Sequence, residues 1–191
     1  MTGQPRRARA VLVSGPPAAG KTTVGRALAG HLGAALLDLD TATAPLVAVL
    51  ADLLGTADLD DRRLVAATRH ARYETLVALA EDNLRAGMSV VLVAPFTAER
   101  RDAATWGEMT GRLRDAGGEP LLVWLRLDTA SVAARLRARR ADRDRAKSAD
   151  PETVAASLDL GAPDVPHVVV EAVAPLDAVL AAARAAVDSS R

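Results

Sequence analysis

A chain of 191 residues, half of them hydrophobic and a quarter charged, has globular composition and is expected to fold as one domain, 1–191, with a full core. Its 24 basic and 24 acidic side chains cancel, so no nucleic-acid partner and no basic partner for an acidic tail are expected. Cysteine is absent, which excludes disulfides and thiolate chemistry, and no apolar run reaches bilayer length or makes a secretory core, so a soluble cytoplasmic protein without a membrane partner is expected.

Residues 10–14, AVLVS, are a short apolar run ending at a glycine, the pattern of a buried parallel strand. From Lys21 to Leu32 the apolar residues Val24, Ala27, Leu28 and Leu32 recur at helical spacing. Residues 34–40, AALLDLD, predict a second strand that ends in two carboxylates. Residues 44–54 and 60–86 predict helices, the second with Leu76, Leu79, Ala80 and Leu84 on one face and Gly87 as its stop. MSVVLVAPF, at 88–96, is the most strand-like run in the chain, and a helix to about Ala116 follows it. PLLVWLRL at 120–127 predicts a fourth strand, 129–140 a helix, HVVVE at 167–171 a fifth strand, and 175–188 a closing alanine-rich helix. This alternation predicts an α/β three-layer sandwich: a five-stranded parallel sheet, helices on both faces, and ligands at the carboxyl ends of the strands.

Gly15-Pro16-Pro17-Ala18-Ala19-Gly20-Lys21-Thr22 fits G-x-x-x-x-G-K-[ST] without gaps, between a predicted strand and a predicted helix. In such a loop the backbone N–H groups surround phosphate oxygens and the helix, continuing through Thr23, adds its positive end. Lys21 reaches the outer phosphates and the Thr22 hydroxyl meets Mg²⁺. Lysine occurs only at Lys21 and Lys147, every other cation being arginine, and both lie in stretches that look like phosphate sites.

Asp38 and Asp40 stand two apart, so a strand running through both points their side chains to one face beside the phosphate loop. A carboxylate there orients Mg²⁺ through water or accepts the proton of an attacking hydroxyl; the alternative is that one of them caps the next helix. Arg135, Arg139 and Arg143 fall on one helical stripe that can fold over a polyphosphate, whereas Arg137 and Arg145 lie on other faces. Arg100 and Arg101, beyond the third strand, either hold an anionic acceptor or form a surface pair. His31, His70 and His167 have no metal-ligand spacing, and the four scattered aromatic residues form no stacking platform.

The chain resembles the small P-loop metabolite kinases: shikimate and gluconate kinases, zeta-toxin-like proteins and antibiotic phosphotransferases of the AAA type. GKTTVGRALAGHLGAALLDLD, 20–40, is similar to the opening of shikimate kinase, paired aspartates included. RLRARRADRDRAK, 135–147, resembles the lid of these enzymes, carrying R-L-x-x-R-x-x-x-R-D-x-x-K and placing a helical lid at about 135–152. Two departures stand out. Ala94-Pro95-Phe96 replaces the glycine run of shikimate kinase, which speaks against shikimate as acceptor. Val93 stands where many relatives carry aspartate, so magnesium orientation would fall on Thr22, Asp38 and Asp40, or the enzyme would be slow.

The resemblance implies ATP and Mg²⁺ as cofactors and transfer of the γ-phosphate to a hydroxyl or phosphate of a small molecule. In that reading Lys21, Asp38, Asp40, Arg139 and Arg143 carry the chemistry. The rest of the loop binds nucleotide, and Asp38, Asp40, Arg100 and Arg101 face the acceptor. The acceptor itself and the choice between monomer and homodimer stay open. The rival reading is a nucleotide-dependent regulatory ATPase with a protein partner.

Overall fold

The computed structural model describes residues 7–58, 61–142 and 151–190, with the side chains of 139–142 and 151 excepted. Its elements alternate in chain order: β1 (Ala8–Ser14), α1 (Lys21–Leu32), β2 (Ala35–Asp38), α2 (Leu39–Leu53), α3 (Arg62–Arg85) and β3 (Val90–Val93). They continue as α4 (Ala103–Asp115), β4 (Gly118–Arg126), α5 (Thr129–Asp142), α6 (Pro151–Ser157), β5 (Val168–Glu171) and α7 (Leu176–Ser189). All five strands are parallel, in the order β2-β3-β1-β4-β5.

Period-two alternation divides the core into two layers. Val11, Val13, Val91, Val93, Val123 and Leu125 face the layer that also holds Val24 and Leu28 of α1 and Val179 and Ala183 of α7. Ala10, Leu12, Val90, Leu92 and Leu122 face the other, with Leu76 and Ala80 of α3 and Trp106 and Leu113 of α4. A third cluster contains only Val47, Ala51 and Leu64, where α2 meets α3. The register sets Val13 beside Val93 and Val93 beside Asp38, so the ends of β1, β3 and β2 lie in one row.

Several sequence expectations change, and the third strand spans Val90–Val93 rather than 88–96. The second strand ends at Asp38 rather than running to residue 40, because the Asp38 carboxylate caps a helix that starts at Leu39. The fourth strand begins at Gly118, pairing with Ala8 of β1, instead of at 120. Val77, not Leu79, joins Leu76, Ala80 and Leu84 in the core, and Leu79 sits on the exposed rim. A short helix, α6, adds to the expected elements. Among the described residues no helix is long and apolar enough to cross a membrane.

Candidate functional site

The loop after β1 is shaped by contacts that leave little choice of residue. A Cβ on Gly15 would lie 2.9 Å from both the Cβ and the carbonyl oxygen of Leu125, so the chain passes β4 only as glycine. Ala18 and Gly20 then turn the backbone with φ of 62° and 88°, and the Ala19 amide donates to the Pro16 carbonyl at 3.2 Å. Ser14 ties the end of β1 to the turn after β3 by donating to the Pro95 carbonyl at 2.7 Å.

Helix α1 follows with Gly20 as its N-cap, and no side chain caps it. The Val24 amide makes the first bond back, to Gly20 O at 2.9 Å, so the amides of Lys21, Thr22 and Thr23 precede the helical ladder. That positive end is built for an anion. Lys21 Nζ lies across the loop, donating to the carbonyls of Gly15 and Pro16 at 3.0 Å each.

Asp38 joins the two helices at this edge. Its Oδ2 accepts from the Thr22 hydroxyl at 2.9 Å, and its Oδ1 accepts from the amides of Asp40 and Thr41 at 3.1 Å each. One buried carboxylate thus both caps α2 and holds Thr22. Asp40 lies in the first turn of α2 rather than on the strand, so the two aspartates do not share a sheet face. The Asp40 side chain is 87% exposed, with Oδ1 held by Arg72 at 2.5 Å. Arg72 in turn donates through Nε to Thr43 Oγ1 at 2.9 Å, and Thr43 is fixed by donating to Leu39 O at 2.7 Å. Sequence reasoning missed Arg72, because an arginine in an arginine-rich helix has no mark that separates it from a solvated face.

Arg100 and Arg101 have another occupation. The buried Arg100 guanidinium lies 4.8 Å over the Trp124 ring. It donates to Gly161 O at 3.0 Å and to Asp159 O and Oδ2 at 2.8 Å each. Arg101 binds Asp159 Oδ2 at 2.6 Å, Ala162 O at 2.7 Å and Asp164 Oδ2 at 3.1 Å. The pair expected to face an acceptor therefore clamps the loop between α6 and β5. The physical cause is burial: a guanidinium out of water needs fixed acceptors, and this loop supplies them. Burial pulls Arg100 below the ordinary arginine range, and hydrogen bonding to Arg101 holds the Asp159 carboxyl down at about 2.

Of the arginines expected to share one stripe, Arg135 reaches the phosphate loop, with Nη1 on Ala18 O at 3.2 Å and Nη2 on Ala172 O at 2.5 Å. Arg137, on another face of α5, pairs with Glu152 and joins α5 to α6. Arg139 follows Arg135 by one turn of α5, its side chain not described; Arg143, Arg145 and Lys147 lie outside the described residues. On α3, Tyr73 accepts from the Phe96 amide at 2.9 Å and packs edge-on against that ring, with the Arg69 guanidinium on its own face. Burial pushes its hydroxyl above the usual phenol range.

A glycine-shaped phosphate cradle at the end of the central strand, opening into an uncapped helix, defines a P-loop protein with the P-loop kinase fold. The sequence pattern of the AAA_33 family (AAA domain) matches residues 11–163, and the chain belongs to that family. No curated protein matches the chain. Its fold is shared with solved structures of low sequence identity. A Chloroflexus aurantiacus protein assigned as a kinase aligns over 97% of this chain and 98% of its own, at 23% identity and a TM-score of 0.69. A gluconokinase from Sinorhizobium meliloti aligns over 97% and 94%, at 19% identity and a TM-score of 0.61. Shikimate kinase from Aquifex aeolicus aligns over 95% and 97%, at 14% identity and a TM-score of 0.55.

Proposed function

We propose that this protein is an ATP-dependent phosphotransferase that moves the γ-phosphate to a hydroxyl of a small molecule. The observation that carries the reading is the Thr22–Asp38 contact of 2.9 Å at the mouth of the uncapped α1. It puts a hydroxyl and a carboxylate, hard oxygen donors suited to Mg²⁺, beside amides suited to phosphate. Val93 is buried against α1, so these two residues would hold and orient the metal without help from β3. Bound there, Mg²⁺ would neutralise charge on the outer phosphates.

Lys21 would leave the loop carbonyls to bind the same phosphates, while the amides of the loop and of Thr22 and Thr23 position them. Asp38 is buried with donors on both oxygens, whereas Asp40 is exposed with Oδ1 held by Arg72, so Asp40 is the carboxylate open to the acceptor hydroxyl. Arg139 and Arg143 would approach from the lid. Transfer of this kind rests on positioning and charge stabilisation more than on covalent help. The names of the gluconokinase and shikimate kinase neighbours support a small hydroxylated acceptor.

The test is ATP turnover with Mg²⁺ across panels of sugar acids, nucleosides, aminoglycosides and other polyols. At least one acceptor should raise turnover well above hydrolysis, and Lys21→Ala should lower it by roughly 10³-fold, as for a lost transition-state donor. Steady hydrolysis that no acceptor stimulates would instead identify a regulatory ATPase.

A further inference from the structure

We propose that the outer face of α2 is the contact between two copies of this chain. Helix α2 carries two apolar faces. Val47 and Ala51 turn inward onto Leu64 of α3. Leu46, Val49, Leu50, Leu53 and Leu54, joined by Val65 of α3, remain between 41% and 77% exposed. Their spacing along α2, i, i+3, i+4, i+7 and i+8, is that of a face meant for burial. From Ala42 to Ala51 the helix carries no charge at all. Scattered exposed leucines are ordinary on a protein surface, but a continuous row of this length marks an interaction site.

The size and shape of the row point to a second copy. Six side chains so exposed present on the order of 600 Å² of apolar surface, and two such faces bury about 1,200 Å², the lower edge of stable interfaces. Leu46, Leu50 and Leu54 form an i, i+4 ridge, which packs into the groove beside the same ridge of a two-fold mate at a crossing of about 50°. Among the described residues nothing covers the row, which stays open along its length.

Sedimentation of the full chain between about 1 and 100 μM should show its mass rising from 19.8 kDa towards twice that value. Leu46→Asp with Leu53→Asp should weaken association at least tenfold while leaving the far-ultraviolet spectrum unchanged. Because the chain has no cysteine, Leu50→Cys at the centre of the row gives a second reading without added charge. Mild oxidation should link that variant into a covalent dimer and should leave Ala182→Cys, on the exposed side of α7, unlinked. The proposal is overturned by a wild-type chain that stays at 19.8 kDa throughout, or by equal linking of the two cysteine variants. A dimer that survives the aspartates overturns it too. So does a monomer that binds phosphatidylcholine vesicles through this row, or loses acceptor turnover when the aspartates are introduced; the face then serves a membrane or the acceptor.

Discussion

Helices α1 and α2 both leave a parallel strand at the same end of the sheet and begin within one hydrogen bond of each other, yet their first turns are opposites. The N-cap of α1 is a left-handed glycine without a side chain, whereas that of α2 is a carboxylate accepting from two amides. Their far sides differ as well. Helix α1 lies flat on the sheet through Val24, Gly25 and Leu28, while α2 enters the core at Leu39, rests further along on Leu64 through Val47 and Ala51, and shows leucines to solvent. A capped first turn has its donors satisfied and serves structure; an uncapped one on a rigid base is left for a ligand.

Exchanging the carboxylates breaks the comparison most sharply. Asp40→Asn should lower acceptor turnover by roughly 10²–10⁴, the range for a lost base, with the thermal midpoint unchanged because the side chain stands in solvent. Asp38→Asn keeps a good cap but removes the charge beside Thr22, and turnover should fall about 10–100-fold. Asp38→Ala should add a loss of about 1 kcal/mol of stability, since the amides of Asp40 and Thr41 lose their acceptor. Turnover and melting measured on the three variants separate cap from chemistry; equal melting of Asn and Ala at 38 would refute the capping role.

The seat of α1 is the next point of attack. A Cβ on Gly25 would come within 2.4 Å of Val93 Cγ2, so Gly25→Ala should destabilise the protein by about 1–3 kcal/mol through overpacking. Adding Val93→Ala makes room, and the double variant should lose less than the two single losses together. Chemical denaturation of the four proteins gives the coupling. Strict additivity would mean that the helix rests elsewhere.

The smallest effect belongs to the loop clamped by Arg100 and Arg101. The Asp159 carboxyl is depressed from 3.8 to about 2 in the folded chain, so its stabilisation is complete above pH 4 and is lost as pH falls through 2. Half exposure weakens the effect by screening. In acid titrations, the melting difference between wild type and Asp159→Asn should narrow between pH 4 and 2; a difference that grows there would contradict the assignment.

The layered fold and the phosphate loop were legible in the chain because each rests on local rules. Apolar runs of strand length, helical periodicity from Val24 to Leu32, and the fixed spacing of Gly15, Gly20, Lys21 and Thr22 need no knowledge of distant residues. The roles of the polar residues were not legible, because a carboxylate or guanidinium takes its meaning from what lies across the fold. Only the tertiary structure could end β2 at Asp38 and so send its two oxygens to Thr22 and to α2. It alone could turn Arg100 and Arg101 onto a loop some 60 residues away in sequence, set Arg72 on Asp40, and leave the apolar row of α2 exposed among the described residues. Periodicity tells which side of a helix is apolar; it is the packing of one element on another that decides which apolar side meets the core and which polar groups meet each other.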